Sequence, residues 1–166
     1  MPARRLRVLV LNPGSVTLKA TLLDHPAPQQ RFDRTIERVD DRAAAIRDVL
    51  EAVEGDGVAI SSIEAVGYRV VHGGERFTTP VVVDGSVVEA IESLEALAPL
   101  HNPPATDTIR ATLKALPDAM HVAAFDTAFH SSLPEPARRY PVPDQWLKEW
   151  GVRRYGFHGL SVEWSV

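Results

Sequence analysis

An α/β fold is predicted for this 166-residue chain, and three observations carry the prediction. The start reads as a β-hairpin, two apolar runs joined by Asn12-Pro13-Gly14-Ser15. Short β-type runs then alternate with segments whose apolar residues recur at helical spacing. Finally, 45% hydrophobic and 24% charged residues suit a globular chain, able at this length to bury roughly 70% of its unfolded surface.

The elements follow in order. Residues 7–11 and 17–23 are predicted strands on either side of the turn. Residues 29–39 alternate polar and apolar side chains enough for a third. Asp40 or Asp41 caps a helix to about residue 54, with Ala45, Ile46, Val49, Leu50 and Val53 as its apolar stripe. Residues 63–71 read as a strand cut off by His72-Gly73-Gly74-Glu75, where paired glycines reach backbone conformations closed to other residues. Val81-Val82-Val83 is a short strand. Ser86, with Glu89 three residues on, reads as a capping box for a helix to about residue 97. Pro99, Pro103 and Pro104 predict a rigid loop around His101 and Asn102, neither helix nor central strand. Pro104 suits the first position of a helix to about residue 116. Residues 120–125 form a buried strand and 143–149 a short helix with Trp146 and Leu147, and 151–159 lead on towards the C-terminus. No repeat, low-complexity tract or linker interrupts this, so one domain is expected.

A net charge of −4 and a pI near 5.8 argue against a dedicated nucleic-acid binder. The arginine clusters Arg4-Arg5-Arg7 and Arg153-Arg154 read as solvated faces. The absence of cysteine excludes disulfide scaffolds, thiolate metal sites and cysteine nucleophiles. The apolar run Val8-Leu9-Val10-Leu11 is too short for a signal-peptide core, and no run approaches the ~20 apolar residues of a membrane helix. A cytoplasmic location, with neither membrane nor nucleic-acid partner, is the simplest expectation.

Chemistry concentrates at a few places. Asp126, Thr127 and His130 follow the apolar run at 122–125 directly, and reactive side chains at the end of a buried strand commonly build a site rim. Taken alone, Asp126 reads first as the cap of a turn or helix start. The turn at 12–19 offers backbone N–H groups, the hydroxyls of Ser15 and Thr17, and the charge of Lys19, which together suit a phosphate; taken alone, it reads first as an ordinary hairpin turn that needs no ligand. Arg69 lies inside an apolar strand, where an unpaired guanidinium is costly, so it needs an anion. That anion is either a protein carboxylate or a ligand held bidentately. His101 and His158 sit in loops stiffened by proline or glycine. No histidine stands at zinc-ligand spacing from another, and each lone imidazole reads as structural.

Order and spacing add a further reading. Asn12 to Lys19, then Gly67-Tyr68-Arg69-Val70-Val71-His72-Gly73-Gly74-Glu75, Pro99 to Pro103, Phe125 to His130, and Arg153 to Ser161 resemble five motifs of the acetate kinase family in the family's own order. The resemblance covers nearly the whole chain but under half of the family's length. It implies a mixed-sheet domain of the actin-like, sugar-kinase and Hsp70 ATPase type with a ribonuclease H-like core. It also implies that residues 1–166 are the N-terminal domain of such a fold, truncated, with the C-terminal domain absent. The activity implied is reversible ATP-dependent phosphorylation of acetate or propionate to the acyl phosphate, with Mg²⁺, ATP/ADP and a short-chain carboxylate bound, and a homodimer in the intact family member. Residue by residue, it implies that Lys19, Ser15 and Thr17 face the ATP phosphates and that Asn12 sits in the Mg²⁺ site. Arg69 and His101 would bind the carboxylate substrate, Asp126 would be the catalytic carboxylate, and His158 would stabilise the transition state. A non-catalytic anion-binding fragment, or an interaction subunit needing a separate C-terminal half, is the alternative. Tyr68 stands where the family has histidine, so substrate orientation could differ, and after Gly159 the family pattern is lost.

Overall fold

Alternating burial along the first two strands sets the sheet. The computed structural model describes residues 5–166. In it β1 (Leu6–Pro13) buries Leu9, Leu11 and Pro13, and β2 (Thr17–His25) buries Leu18, Ala20, Leu22 and Asp24. The two strands pair antiparallel across the Gly14-Ser15-Val16 turn, and β3 (Gln29–Glu37) adds antiparallel to β2. On the other side β1 pairs parallel with β4 (Ala65–Val70), which pairs parallel with β6 (Met120–Phe125), while β5 (Val81–Val82) runs antiparallel on β6. The sheet is mixed, as the resemblance implied, and its six strands stand in the order β3-β2-β1-β4-β6-β5.

Helices α1 (Arg42–Gly55), α2 (Gly85–Glu92) and α3 (Asn102–Ala115) supply the opposing apolar layer; α3 packs on α1, on α2 and on strands β1 and β4. Between them lies one core that includes Leu9, Leu11, Leu18, Val66, Phe125, Ile46 and Ile109. Each such side chain contributes about 1.5–3 kcal/mol on full burial. Three short helices follow, α4 (Glu135–Arg138), α5 (Asp144–Trp150) and α6 (Gly159–Ser165). No helix among the described residues is long and apolar enough to cross a membrane.

Several sequence expectations change. Asp41 caps α1 as anticipated, accepting from the N–H groups of Ala43 and Ala44 at 2.8 and 3.1 Å. The cap of α2, however, is Asp84, whose carboxylate accepts from Val87 N–H, so the expected Ser86–Glu89 box does not form; Ser86 donates to Asp84 instead. That helix stops at Glu92, and a separate 3₁₀ turn covers Glu95–Leu97. The Pro99–Pro104 loop is shorter than expected because α3 begins at Asn102 and takes Pro103 and Pro104 into its first turn, where their missing N–H groups leave no bond unmade. Helices α4 and α6 were not anticipated.

The first arginine cluster is more than a solvated face, although Arg5 stays half exposed, and Arg154 of the second is exposed as expected. Arg5, Arg7 and Arg31 all donate to Asp24, which is 2% exposed; Arg4 lies outside the described residues. The hydrogen bond from Arg31, with Arg7 and Arg5 behind it, outweighs burial and pulls the Asp24 pKa down to about 2. A carboxyl whose folded pKa lies below its ordinary value of about 3.9 stabilises the fold above that value and ceases to do so as pH falls towards the folded pKa. Urea stability is therefore expected to fall between about pH 4 and 2, and Asp24→Asn should flatten that part of the profile.

Candidate functional site

Three adjacent strands end together and bring their polar residues into contact. Arg69, one residue before the end of β4, donates from Nε to both oxygens of Asp126 at 3.1 and 3.0 Å, and its Nη2 also pairs with that carboxylate. Asp126, directly after β6, is 2% exposed, whereas the Arg69 side chain is 26% exposed. The same guanidinium donates through Nη1 to Asn12 Oδ1 at 3.1 Å, which ties in the end of β1. The anion that Arg69 required is thus, in this structure, a protein carboxylate. Asp126 is not a helix or turn cap.

Around this pair lies a cavity of about 370 Å³. Arg69, Asp126, His101 and His158 share it with an apolar wall that includes Val71, Leu100 and Phe157. His101 is at the N-terminal end of α3. His158 precedes α6 with φ of 57°, a left-handed conformation that non-glycine residues seldom hold. Gly159 explains how that corner closes. Its N–H donates to the Asp126 carbonyl at 2.8 Å, and a Cβ there would collide with that carbonyl oxygen and lie 2.9 Å from the Phe129 Cβ. His130 holds the same corner from outside, with Nε2 3.0 Å from the Phe157 carbonyl.

Ser15, Thr17 and Lys19 do not line this cavity; they belong to the neighbouring hairpin. Lys19 stands opposite Asn12 in the β1–β2 register and is exposed, as is Ser15. The hairpin reaches the cavity through the hydrogen bond between Asn12 and Arg69. Tyr68 faces the other way. Its hydroxyl lies 2.6 Å from His121 Nδ1 inside the core, and burial raises its pKa, so the departure at this position does not reach the cavity.

Two positioning residues were missed. Arg42, buried at the start of α1, donates to the carbonyls of Gly14, Ser15 and Thr17 at 2.8–2.9 Å and thereby fixes the hairpin turn. Its position four residues before Ile46, on the buried stripe, was the available signal, the same one that marked Arg69. Asn102 is fully buried and exchanges hydrogen bonds with the backbone of His72, accepting from its N–H at 3.2 Å and donating to its carbonyl at 3.1 Å. His72 is structural, its ring edge-on to Tyr155 and Phe157; burial, with Arg153 nearby, lowers its pKa.

Among the described residues no group of three or more His, Asp or Glu could cage a metal ion. Asp126 and Asn12 are nonetheless hard oxygen donors of the kind Mg²⁺ takes when phosphate oxygens and water complete its shell. Each carries lone pairs beyond those that Arg69 occupies.

The model of the Acetokinase family matches residues 29–165. The acetate kinase of Deinococcus radiodurans is 44% identical over 92% of this chain and 44% of its own length; that of Arthrobacter sp. (strain FB24) is 46% identical over 95% of this chain and 44% of its own. Among solved structures, the acetate kinase of Porphyromonas gingivalis superposes with a TM-score of 0.90 at 33% identity, covering 95% of this chain and 46% of that one. A propionate kinase from Francisella tularensis subsp. tularensis gives 0.85 at 28%, covering 96% and 47%. The chain therefore spans less than half the length of these relatives.

Proposed function

The chain belongs to the acetokinase family, and from that membership we propose that it forms the carboxylate-binding and phosphate-binding side of an enzyme that phosphorylates acetate or propionate with ATP. Residues 1–166 are read as the N-terminal domain of that enzyme, which would be a cytoplasmic homodimer. The observation that carries the reading is the cavity itself, which joins one guanidinium, two imidazoles and an apolar wall in a space suited to a short-chain acid.

In the proposed reaction a carboxylate oxygen of the acid attacks the γ-phosphorus in line. An O–P bond forms as the bond to ADP breaks, giving an acyl phosphate. Carboxylic acids with a pKa of ~4 are already ionised at neutral pH, so the nucleophile requires no base. Asp126 is then a positioning group, holding Arg69 towards the substrate carboxylate. The N–H groups of the hairpin, the hydroxyls of Ser15 and Thr17, and Lys19 bind the ATP phosphates. Arg69 and His158 donate to charge developing on the equatorial oxygens, and His101 orients the acid beside them. Asp126 and Asn12 are the residues that would hold Mg²⁺, which when bound neutralises phosphate charge.

Titration of the chain with acetate, followed by NMR, is expected to give saturable shifts at Leu100, His101 and Phe157 that Arg69→Met abolishes. Protein carrying this chain should form hydroxamate-trappable acyl phosphate from ATP, Mg²⁺ and acetate. Lack of saturable carboxylate binding would overturn the substrate class. Turnover unchanged by Asp126→Ala would overturn the site.

A further inference from the structure

A second cleft, of about 390 Å³, opens beside Thr127 and shares no lining residue with the cavity around Arg69. Two guanidiniums line it. The Arg153 side chain is only 10% exposed; Nη1 donates to Glu75 at 2.5 Å and the group stacks over Tyr155, its Cζ 4.6 Å from the ring centroid. Its Nε is buried and has no hydrogen-bond partner among the described residues, a costly state for a charged donor. Arg138, at the end of α4, contributes a second guanidinium, which has no ion-pair or hydrogen-bond partner among the described residues.

Hydroxyls complete the lining. The side chains of Thr78 and Ser131 make no hydrogen bond among the described residues. Thr127 Oγ1 accepts from Gly73 N–H at 3.0 Å, which leaves its own proton free to donate. The Tyr155 phenol, protonated at neutral pH in any case, is a further donor, and burial, with Glu75 acting in the same direction, raises its pKa. Against two fixed positive charges stands one carboxylate, Glu75, already paired with Arg153. Forked guanidiniums with several hydroxyl donors suit the oxygens of a tetrahedral dianion.

We propose that this cleft is a second anion site, separate from the carboxylate cavity, which takes a phosphoryl group, either free or as the phosphomonoester of a small molecule. Its place next to the Asp126–Thr127 turn sets the bound anion near the Arg69–Asp126 pair without drawing on either residue.

The test titrates the chain with inorganic phosphate at constant ionic strength, with chloride as the reference anion and amide shifts as the readout. Saturable shifts at Thr78, Thr127, Ser131 and Tyr155 are expected. Arg138→Ala should weaken them at least tenfold, and Ser131→Glu, which sets a carboxylate in the cleft, should abolish them. Lys19→Ala should leave them unchanged, which separates this site from the hairpin. A parallel titration with glycerol 3-phosphate identifies the source: tighter binding than inorganic phosphate supports a monoester, weaker binding supports free phosphate. Shifts confined to residues 14–19, loss with Lys19→Ala, or a response that chloride reproduces would each overturn the proposal. Circular dichroism of each variant verifies the fold, and because Arg138 and Ser131 lie on separate segments, persistence of binding in either folded variant also counts against the site.

Discussion

Replacing Arg69 by alanine is expected to remove about 3–5 kcal/mol of stability, the usual cost of leaving a buried charge without its partner. The carboxylate left behind is that of Asp126, 2% exposed, which loses the guanidinium that meets both its oxygens. Asp126→Ala should cost less, because the Arg69 side chain is 26% exposed and water can reach it. The informative variant is the double one. Arg69→Met with Asp126→Leu removes both charges at similar volume and should restore most of the lost stability, since neutral replacement of a buried pair is often tolerated. It should not restore carboxylate binding. Urea denaturation of the unaltered chain, Arg69→Met, Asp126→Leu and the double variant measures the coupling. A loss below about 1 kcal/mol in Arg69→Ala would mean that the pair behaves as a surface contact and does not organise the site.

The second large effect is expected at Arg42. Alanine there withdraws one charged donor group from the carbonyls of Gly14, Ser15 and Thr17. Hydrogen bonds to charged groups are worth about 1.5–3 kcal/mol, and with partial resolvation of an exposed turn the net loss should be on the order of 2–4 kcal/mol. Arg42→Lys should recover little, because an ammonium cannot span carbonyls that a planar fork reaches together. Amide exchange should quicken across residues 14–17. Phosphate-directed affinity should fall while carboxylate affinity holds, since Arg42 touches the hairpin and not the cavity. Equal loss of both affinities would mean that Arg42 supports the fold as a whole.

The sequence was most legible where local chemistry and tertiary packing agree. Asn12-Pro13-Gly14 made the hairpin plain, and the apolar run before Asp126 predicted β6 to the residue. Asp84-Gly85-Ser86 offered two oxygens for one helix start, and the aspartate, with extended φ and ψ, captured it. Helices α4 and α6 are only four and seven residues long and have little apolar periodicity to betray them. At the site, burial logic established that Arg69 needed an anion but could not choose Asp126, 57 residues away, because that choice is made by parallel pairing of β4 with β6. The left-handed turn at His158 is likewise imposed by the close approach of Gly159 to the Asp126 carbonyl, a contact that no local pattern encodes.

Asn102 has a mechanical meaning. By exchanging two hydrogen bonds with the backbone of His72, its amide stands in for a rung of sheet between a loop and a helix start. Val71 and His101, the chain neighbours of those two residues, therefore belong to a single stiff jaw of the cavity. Dilation to admit a longer acid is then expected at Phe157 and His158, on a corner tied through His130 to the Phe157 carbonyl and through Gly159 to Asp126. Selection by acyl length would then be governed by the compliance of that corner, and by the size of the side chains on the fixed side only secondarily.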